Sequence, residues 1–137
     1  MNKLIGIILV TFMSIVPYQI AAADSDESSA LLCSVIEVFE CSLESDCSEV
    51  TAESANLPLF TRIDFENMKL MAPKGSEEKR ESIINSVQKS NGSILLQGIG
   101  HGRAWSIAIS QESGVMTATV SEDEGGFVVF GACILDY

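Results

Sequence analysis

Apolar and polar residues alternate along most of the chain after Pro58, and this is the pattern of half-buried β-strands. The clearest case is residues 103–110 (RAWSIAIS), in which Trp105, Ile107 and Ile109 share one face. The same reading predicts further strands at residues 59–65, 68–73, 82–90, 93–98, 115–121 and 127–135. The last of these, FVVFGACIL, is apolar on both faces, which is typical of a covered or closing strand.

Residues 31–41 fit two patterns. One is the parity of a strand, shared by Leu31, Cys33, Val35, Phe39 and Cys41. The other is a helical stripe formed by Leu32, Val35, Ile36 and Phe39. We favour a strand, because β-branched residues are frequent in this segment and the rest of the chain is β-like. Residues 42–58 are predicted to be a long irregular connection that ends at Pro58.

About eight strands joined by short connections, without a convincing helix, predict an all-β fold. Asn91-Gly92 is the strongest hairpin signal in the chain. Short connections imply antiparallel neighbours, so we predict a small antiparallel meander that is closed into a barrel or strongly curved. The interior of an eight-stranded barrel holds only side chains or one small ligand. We expect the large residues Trp105, Ile107 and Ile109 to fill it.

The first 23 residues have the pattern of a signal peptide. One lysine precedes a short apolar run, which is followed by Pro17 and three alanines. The run is shorter than the roughly 20 residues of a membrane-spanning helix. We predict a signal peptide at residues 1–23, a disordered acidic lead-in at residues 24–30, and a single β-rich domain at residues 31–137. The protein is therefore expected to be periplasmic or secreted.

Four cysteines in an exported chain are expected to pair as disulfides. If residues 33–41 are extended, Cys33 and Cys41 lie about 26 Å apart, beyond disulfide reach. Cys41 and Cys47 flank a polar stretch typical of a tight loop, which leaves Cys33 to pair with Cys133 and to tie the first strand to the last. The spacings contain no C-x-x-C, so a metal site is disfavoured and we predict no metal and no cofactor.

The chain carries a strong negative charge, which limits the classes of partner that it can bind. Nineteen Asp and Glu stand against eight Lys and Arg, a net charge of −11, and loss of Lys3 with the signal peptide would make it −12. A protein that binds nucleic acid or an anionic membrane needs clustered Lys and Arg residues. We therefore expect neither as a partner after signal cleavage. A cationic periplasmic or extracellular protein is the electrostatically favoured partner, although acidity also keeps an exported domain soluble.

The candidates for site chemistry are few. His101 is the only histidine and lies in Gly100-His101-Gly102, a predicted turn tip, and no G-x-S-x-G elbow is present. With the cysteines paired, no Cys–His couple remains, so we predict no catalytic residue. Gly100, His101 and Gly102, together with Ser113 and Gly114 of another turn, are the predicted binding loop.

Other polar and aromatic groups are assigned structural roles. Asp64 and Glu66 are expected to be solvated, with Arg62 pairing to Asp64 across one face. The acidic run at residues 122–124 lacks the spaced pattern of a calcium loop and is predicted to be a charged loop. Three aromatic side chains are expected in the core, namely Trp105, Phe127 and Phe130.

Several segments resemble a family of small exported proteins from Gram-negative bacteria: LPLFTRIDFENMKL, ILLQGIGHGRAWSIAIS, SGVMTATV and FVVFGAC. This resemblance implies no activity and no catalytic residues. A weaker resemblance is to periplasmic lysozyme inhibitors, which are small disulfide-bearing β-barrels with a Ser-x-x-Gly-like loop followed by an aromatic residue. Residues 110–114 lie in a comparable turn, but Val115 and Met116 follow where that resemblance implies a tyrosine.

These observations favour an exported, non-enzymatic binding module, for example an inhibitor of a cationic protein such as lysozyme. The alternative is a small-ligand-binding β-barrel of the lipocalin type, whose interior would hold one molecule. An enzyme ranks last, because no catalytic constellation is present.

Overall fold

The computed structural model describes residues 29–137. The predicted signal peptide and most of the predicted lead-in lie outside these residues, and the first strand begins at Ala30, one residue before the predicted start of the domain. Within the described part there is no helix long and apolar enough to cross a membrane.

Nine antiparallel strands make up the described fold, which confirms the all-β prediction. They are β1 (Ala30–Ser42), β2 (Ser48–Val50), β3 (Phe60–Asp64), β4 (Lys69–Met71), β5 (Glu81–Ser90), β6 (Ser93–Gly100), β7 (Arg103–Ser110), β8 (Val115–Ser121) and β9 (Gly125–Asp136). All strands except β2 form a meander in chain order, and β9 pairs back onto β1 along almost its whole length. The sheet therefore closes into the predicted eight-stranded barrel, with β2 as one extra strand.

The extra strand β2 was not predicted, because its sequence, Ser-Glu-Val, is short and polar. It forms because β1 is longer than its neighbour β3. The pairing of β1 with β3 covers only Leu31–Ser34, and β2 pairs further along the same edge with Val38–Glu40. This pairing supplies hydrogen-bond partners to a backbone edge that would otherwise be free.

A β-bulge in β1 makes one predicted parity wrong. The register against β9 shifts between Val35 and Glu37, so the strand alternation reverses there. Val38, at 2% exposure, points into the barrel, whereas Phe39 lies on the outside. Phe39 packs edge-to-face with Phe130, with ring centroids 6.1 Å apart. Phe130 is 40% exposed, so its predicted place in the core is wrong, while Phe127 is buried as predicted.

Two turns use paired residues with positive φ, which suits the right-handed twist of a two-residue hairpin. Asn91 and Gly92 have φ values of 50° and 77° between β5 and β6, which confirms the predicted hairpin. His101 and Gly102 have φ values of 53° and 76° between β6 and β7. Histidine lacks the freedom of glycine at such a position, but β6 and β7 pair right up to the turn and hold it there.

Both predicted disulfides are present, and the described chain has no free cysteine. Cys33 and Cys133 face each other directly across β1 and β9, and their sulfurs are bonded at 2.05 Å inside the larger core cluster. Cys41 and Cys47 close the small loop before β2. The long disulfide therefore ties together the two strands whose pairing closes the barrel.

Candidate ligand cavity

The longest connections between strands lie at one end of the barrel. Because the strands alternate in direction, the β4–β5 loop, the β6–β7 turn and the β8–β9 turn lie at the same end as the connection from β1 to β3. This end is called the mouth below. The β3–β4, β5–β6 and β7–β8 turns lie at the far end.

A cavity of about 690 Å³ extends from the mouth into the barrel. Its wall is largely apolar and includes Ile63, Leu70, Trp105, Ile107, Met116, Ala118, Val120 and Val129. The expectation that large side chains fill the interior is therefore wrong. Trp105 and Ile107 do point inward, but the neighbouring strands bring smaller side chains, such as Ala118 and Val129, to the same level. The space between the two core clusters stays open as a result.

Trp105 lies against Gly98 on the neighbouring strand. The two residues are direct partners in the pairing of β6 with β7, and a Cβ at Gly98 would come within 2.7 Å of the indole Cε2. The indole is half-buried and forms part of the cavity wall. Its Nε1 is buried and has no hydrogen-bond partner among the described residues. The missing side chain at position 98 thus sets where the indole lies, and so the width of the cavity.

Residues 51–58 form a compact segment at the mouth, called the cap below. Three backbone hydrogen bonds fold it, from Ala55 N to Thr51 O at 3.1 Å, from Asn56 N to Glu53 O at 3.0 Å and from Leu57 N to Ala52 O at 2.8 Å. Ala55 is 3% exposed and packs into the smaller core cluster, beside Val38. The cap therefore covers part of the mouth and supplies Asn56, Leu57 and Pro58 to the cavity lining.

Two arginines from different parts of the barrel hold the cap. Arg80, just before β5, donates from Nη1 to the backbone oxygen of Asn56 at 2.9 Å and to its Oδ1 at 3.1 Å. Arg103, at the start of β7, donates from Nη1 to the backbone oxygen of Ala55 at 3.0 Å. These bonds satisfy carbonyl groups that the cap cannot pair internally, so the two arginines fix its position over the mouth.

Each of these arginines also has a carboxylate partner. Arg80 Nη2 lies 2.8 Å from Glu78 Oε2. Hydrogen bonds from the Arg80 side chain and backbone lower the pKa of Glu78 to about 2. Arg103 forms an ion pair with Glu122, and its guanidinium lies 5.3 Å from the centre of the Phe127 ring, in a cation–π arrangement. Both guanidinium groups are thus committed to protein partners.

The other charged residues that line the cavity are acidic, whereas the exposed Lys74 and Lys79 of the β4–β5 loop lie at the same end but outside the lining. Glu81 forms an exposed ion pair with Lys69, whose Nζ lies 3.0 Å from it. Asp123 and Glu124, in the β8–β9 turn, line the cavity and are exposed. Within residues 29–137, neither of these two carboxylates has a hydrogen bond or an ion pair. The acidic run predicted to be a charged loop is therefore part of the rim of the cavity.

The predicted binding loop is divided between the two ends of the barrel. His101 is exposed at the mouth, with Nε2 3.2 Å from the backbone oxygen of Glu81, and Gly100 and Gly102 lie beside it in the cavity lining. Ser113 and Gly114 lie at the far end, about 23 Å away along β7. There the backbone of Gly114 accepts a hydrogen bond from Cys133 N at 2.8 Å.

Asp64 is buried rather than solvated, with 8% exposure, and lies outside the cavity lining. It accepts hydrogen bonds from Asn67 N at 2.9 Å and from Arg62 Nη1 at 2.7 Å, and these lower the pKa of Asp64 to about 2. Arg62 Nε also donates to Asp136 at 2.6 Å. The predicted pairing of Arg62 with Asp64 is confirmed, and it extends to the C-terminal end of β9.

Sequence reasoning missed the cap and the two arginines that hold it. A signal for the cap was available, since Ala52, Ala55 and Leu57 are apolar positions in an otherwise polar segment. The arginines gave no such signal, because their partners are backbone oxygens of a distant segment. Among residues 29–137, no group of three or more His, Cys, Asp or Glu side chains is arranged to hold a metal ion.

Comparison of the chain with protein-family models, with curated protein sequences and with solved structures finds no match in any of the three. The resemblances to exported Gram-negative proteins and to lysozyme inhibitors therefore stay predictions.

Proposed function

We propose that this protein is an exported binding protein whose barrel holds one small molecule with an apolar body. The observation that carries the proposal is the cavity of about 690 Å³ at the mouth of the barrel. Ligand pockets in proteins are typically 300–1,000 Å³ and mostly apolar, with a few polar groups that fix the orientation of the ligand. This cavity has that size and a largely apolar wall, in which Ser34, Thr61 and Ser82 are polar, and its charged groups lie at the mouth.

Hydrophobic burial supplies the affinity in this proposal. Each methylene of the ligand that leaves water for the cavity contributes about 0.8 kcal/mol. The barrel wall is held by continuous strand pairing and by the Cys33–Cys133 disulfide, so little of this free energy is spent on ordering the protein.

Export is part of the proposal. Two disulfides without a free cysteine in the described chain are characteristic of oxidising compartments. The signal-peptide pattern of residues 1–23 supports the same location, in the periplasm or outside the cell. Binding, rather than catalysis, is the role that we assign to the cavity.

The proposal is tested with N-phenyl-1-naphthylamine, an uncharged apolar dye that fluoresces when it leaves water. Trp105 is the only tryptophan, and it lines the cavity, so it reports binding directly. We expect saturable binding of one dye per chain, with energy transfer from Trp105 to the dye. Dye fluorescence that rises without saturation would contradict the proposal.

A matched pair of variants locates the bound dye. Ala118→Phe places a ring in the cavity, whereas Ala108→Phe places the same ring on the exposed outer face of β7. Binding should fall at least tenfold in the first variant and stay unchanged in the second. Val120→Phe, also in the wall, replaces Ala118→Phe if that variant does not fold by circular dichroism.

A second candidate function is capture of a cationic protein, as the sequence suggested. The observation that favours it is the net charge of −11, together with the exposed, unpaired carboxylates of Asp123 and Glu124. A pull-down from periplasmic extract with lysozyme among the prey, washed at low and high salt, tests it. A single partner released by salt supports this candidate, and its absence leaves the small-molecule function.

A further inference from the structure

Most of the charged side chains that line the cavity at its mouth are acidic, and Lys74 and Lys79 of the β4–β5 loop lie at the same end outside this lining. Two arginines line it, Arg80 and Arg103. Five carboxylates line it as well, those of Glu78, Glu81, Glu122, Asp123 and Glu124. An apolar ligand with a polar end would place that end among these groups, because the interior offers it no charged partner. The charge of the mouth therefore selects among possible occupants.

The arginines are poorly placed to receive an anion. Arg80 is committed to Glu78 and to two oxygens of Asn56. Arg103 is committed to Glu122 and to the backbone oxygen of Ala55. An anionic head group would meet the negative charge of Glu78 or Glu122, which already neutralises each guanidinium.

The carboxylates of Asp123 and Glu124, in contrast to the arginines, are well placed to receive a charged head group. Both line the cavity, both are exposed, and neither is paired within the described chain. They follow β8, whose Val120 and Ala118 form part of the apolar wall. One ligand could thus contact the wall with its apolar body and these carboxylates with its head group. The negative charge of the whole chain acts in the same direction.

We propose, resting on the function above, that the occupant is a cationic amphiphile. It would be a molecule with one apolar chain or ring system in the barrel and one ammonium or guanidinium group at the mouth, near Asp123 and Glu124. Opposite charges at a solvent-exposed rim give modest, salt-sensitive attraction, while the apolar body gives most of the affinity.

Three probes with the same ten-carbon chain test the proposal: decylamine, decanol and decanoate. Each is used at pH 7 and low ionic strength to displace N-phenyl-1-naphthylamine from the oxidised protein. At this pH the amine is a cation and the carboxylate is an anion. We expect decylamine to bind about tenfold more tightly than decanoate, with decanol between them, and the ratio to shrink in high salt.

A pair of double variants assigns the preference to the mouth. Asp123→Asn with Glu124→Gln removes two charges from the rim, and Glu66→Gln with Glu112→Gln removes two from exposed turns at the far end. The preference for decylamine should fall severalfold in the first and persist in the second. If the preference for decylamine falls equally in both double variants, it depends on net charge alone and the proposal is overturned.

The remaining outcomes separate the two proposals. If the dye binds but decanoate or decanol displaces it as well as decylamine does, the cationic class is wrong and the cavity still binds. If the dye binds and none of the three displaces it, the amphiphile is again wrong. If the dye itself shows no saturable binding, the function proposed for the barrel fails.

Discussion

Gly98 and Trp105 face each other across β6 and β7, and the indole of Trp105 occupies the space that a side chain at position 98 would need. A Cβ at position 98 would also collide with the backbone oxygen of Ile83. Backbone cannot move as freely as the end of a side chain. A side chain at position 98 would therefore clash with the indole and with the backbone of β5. The shape of the cavity wall thus depends on a glycine that lies in a strand rather than in a turn.

Gly98→Ala should therefore destabilise the protein and displace the indole. Overpacking of this kind costs about 1–3 kcal/mol of the free energy of unfolding. Urea unfolding followed by circular dichroism measures the loss, and the emission maximum of Trp105 reports the displacement. Ala104→Val, on the exposed outer face of β7, is the control and should change stability by less than about 0.5 kcal/mol. Equal stability and emission in both variants would refute the close contact.

The two disulfides should contribute unequally to stability. The Cys33–Cys133 bridge spans 100 residues and the Cys41–Cys47 bridge spans 6. In the chain-entropy account the longer loop contributes about 4.7 kcal/mol and the shorter about 2 kcal/mol. Double Cys→Ala variants of each pair, compared by thermal unfolding, test this. A larger loss from removing the short bridge would show that loop length does not govern their contributions.

Acid should weaken the hydrogen bonds that Asp64 accepts from Arg62 and Asn67 at the end of β3. The pKa of Asp64 lies at about 2, below its ordinary 3.8, because Asn67 and Arg62 donate hydrogen bonds to the carboxylate. A carboxyl group with a lowered folded-state pKa stabilises the protein above its unfolded pKa. That contribution is lost as the pH falls from about 4 toward 2.

Asp64→Asn should remove this part of the pH dependence, which amounts to about 2 kcal/mol. The free energy of unfolding, measured by urea denaturation between pH 2 and pH 6, checks it. Glu66→Gln, in the same turn but exposed, should leave the pH profile unchanged. A wild-type-like slope in the Asp64 variant would place the acid sensitivity elsewhere.

Most of the barrel could be predicted, because alternation along each strand depends on local sequence. The bulge at residues 35–37 could not, since one extra residue in β1 leaves no clear mark in the sequence and yet exchanges the roles of Val38 and Phe39. The open interior could not be predicted either. It depends on which side chains meet at one level of the barrel, and strand tilt and stagger decide that.

By contrast, the sequence was sufficient to predict that the two turns of the proposed binding loop lie at opposite ends of the barrel. Successive turns of an antiparallel meander lie at opposite ends, so His101 and Ser113, at the two ends of one strand, could not meet. The cap needed the three-dimensional fold, because Arg80 and Arg103 bind backbone oxygens of residues 55 and 56.

Loss of the two arginines should loosen the cap without unfolding the barrel. In the double variant Arg80→Ala with Arg103→Ala, the amides of Ala55 and Leu57 should exchange with deuterium at least tenfold faster, because their segment is no longer held at the mouth. Exchange in β1 and β9 should stay slow. Lys69→Ala, which removes an exposed ion pair between β4 and β5, is the control. Unchanged protection of the cap would show that apolar packing of Ala55 alone holds it.

The central claim is that the interior of the barrel, rather than its outer surface, binds a small molecule. The single tryptophan gives one indole N–H signal in a ¹⁵N–¹H correlation spectrum, and that signal belongs to the cavity wall. Titration with N-phenyl-1-naphthylamine should shift it together with the amides of Ile107, Ala118 and Val129. Shifts confined to exposed apolar residues of the outer face, such as Ile99 and Ile134, with the indole signal unmoved, would contradict the account.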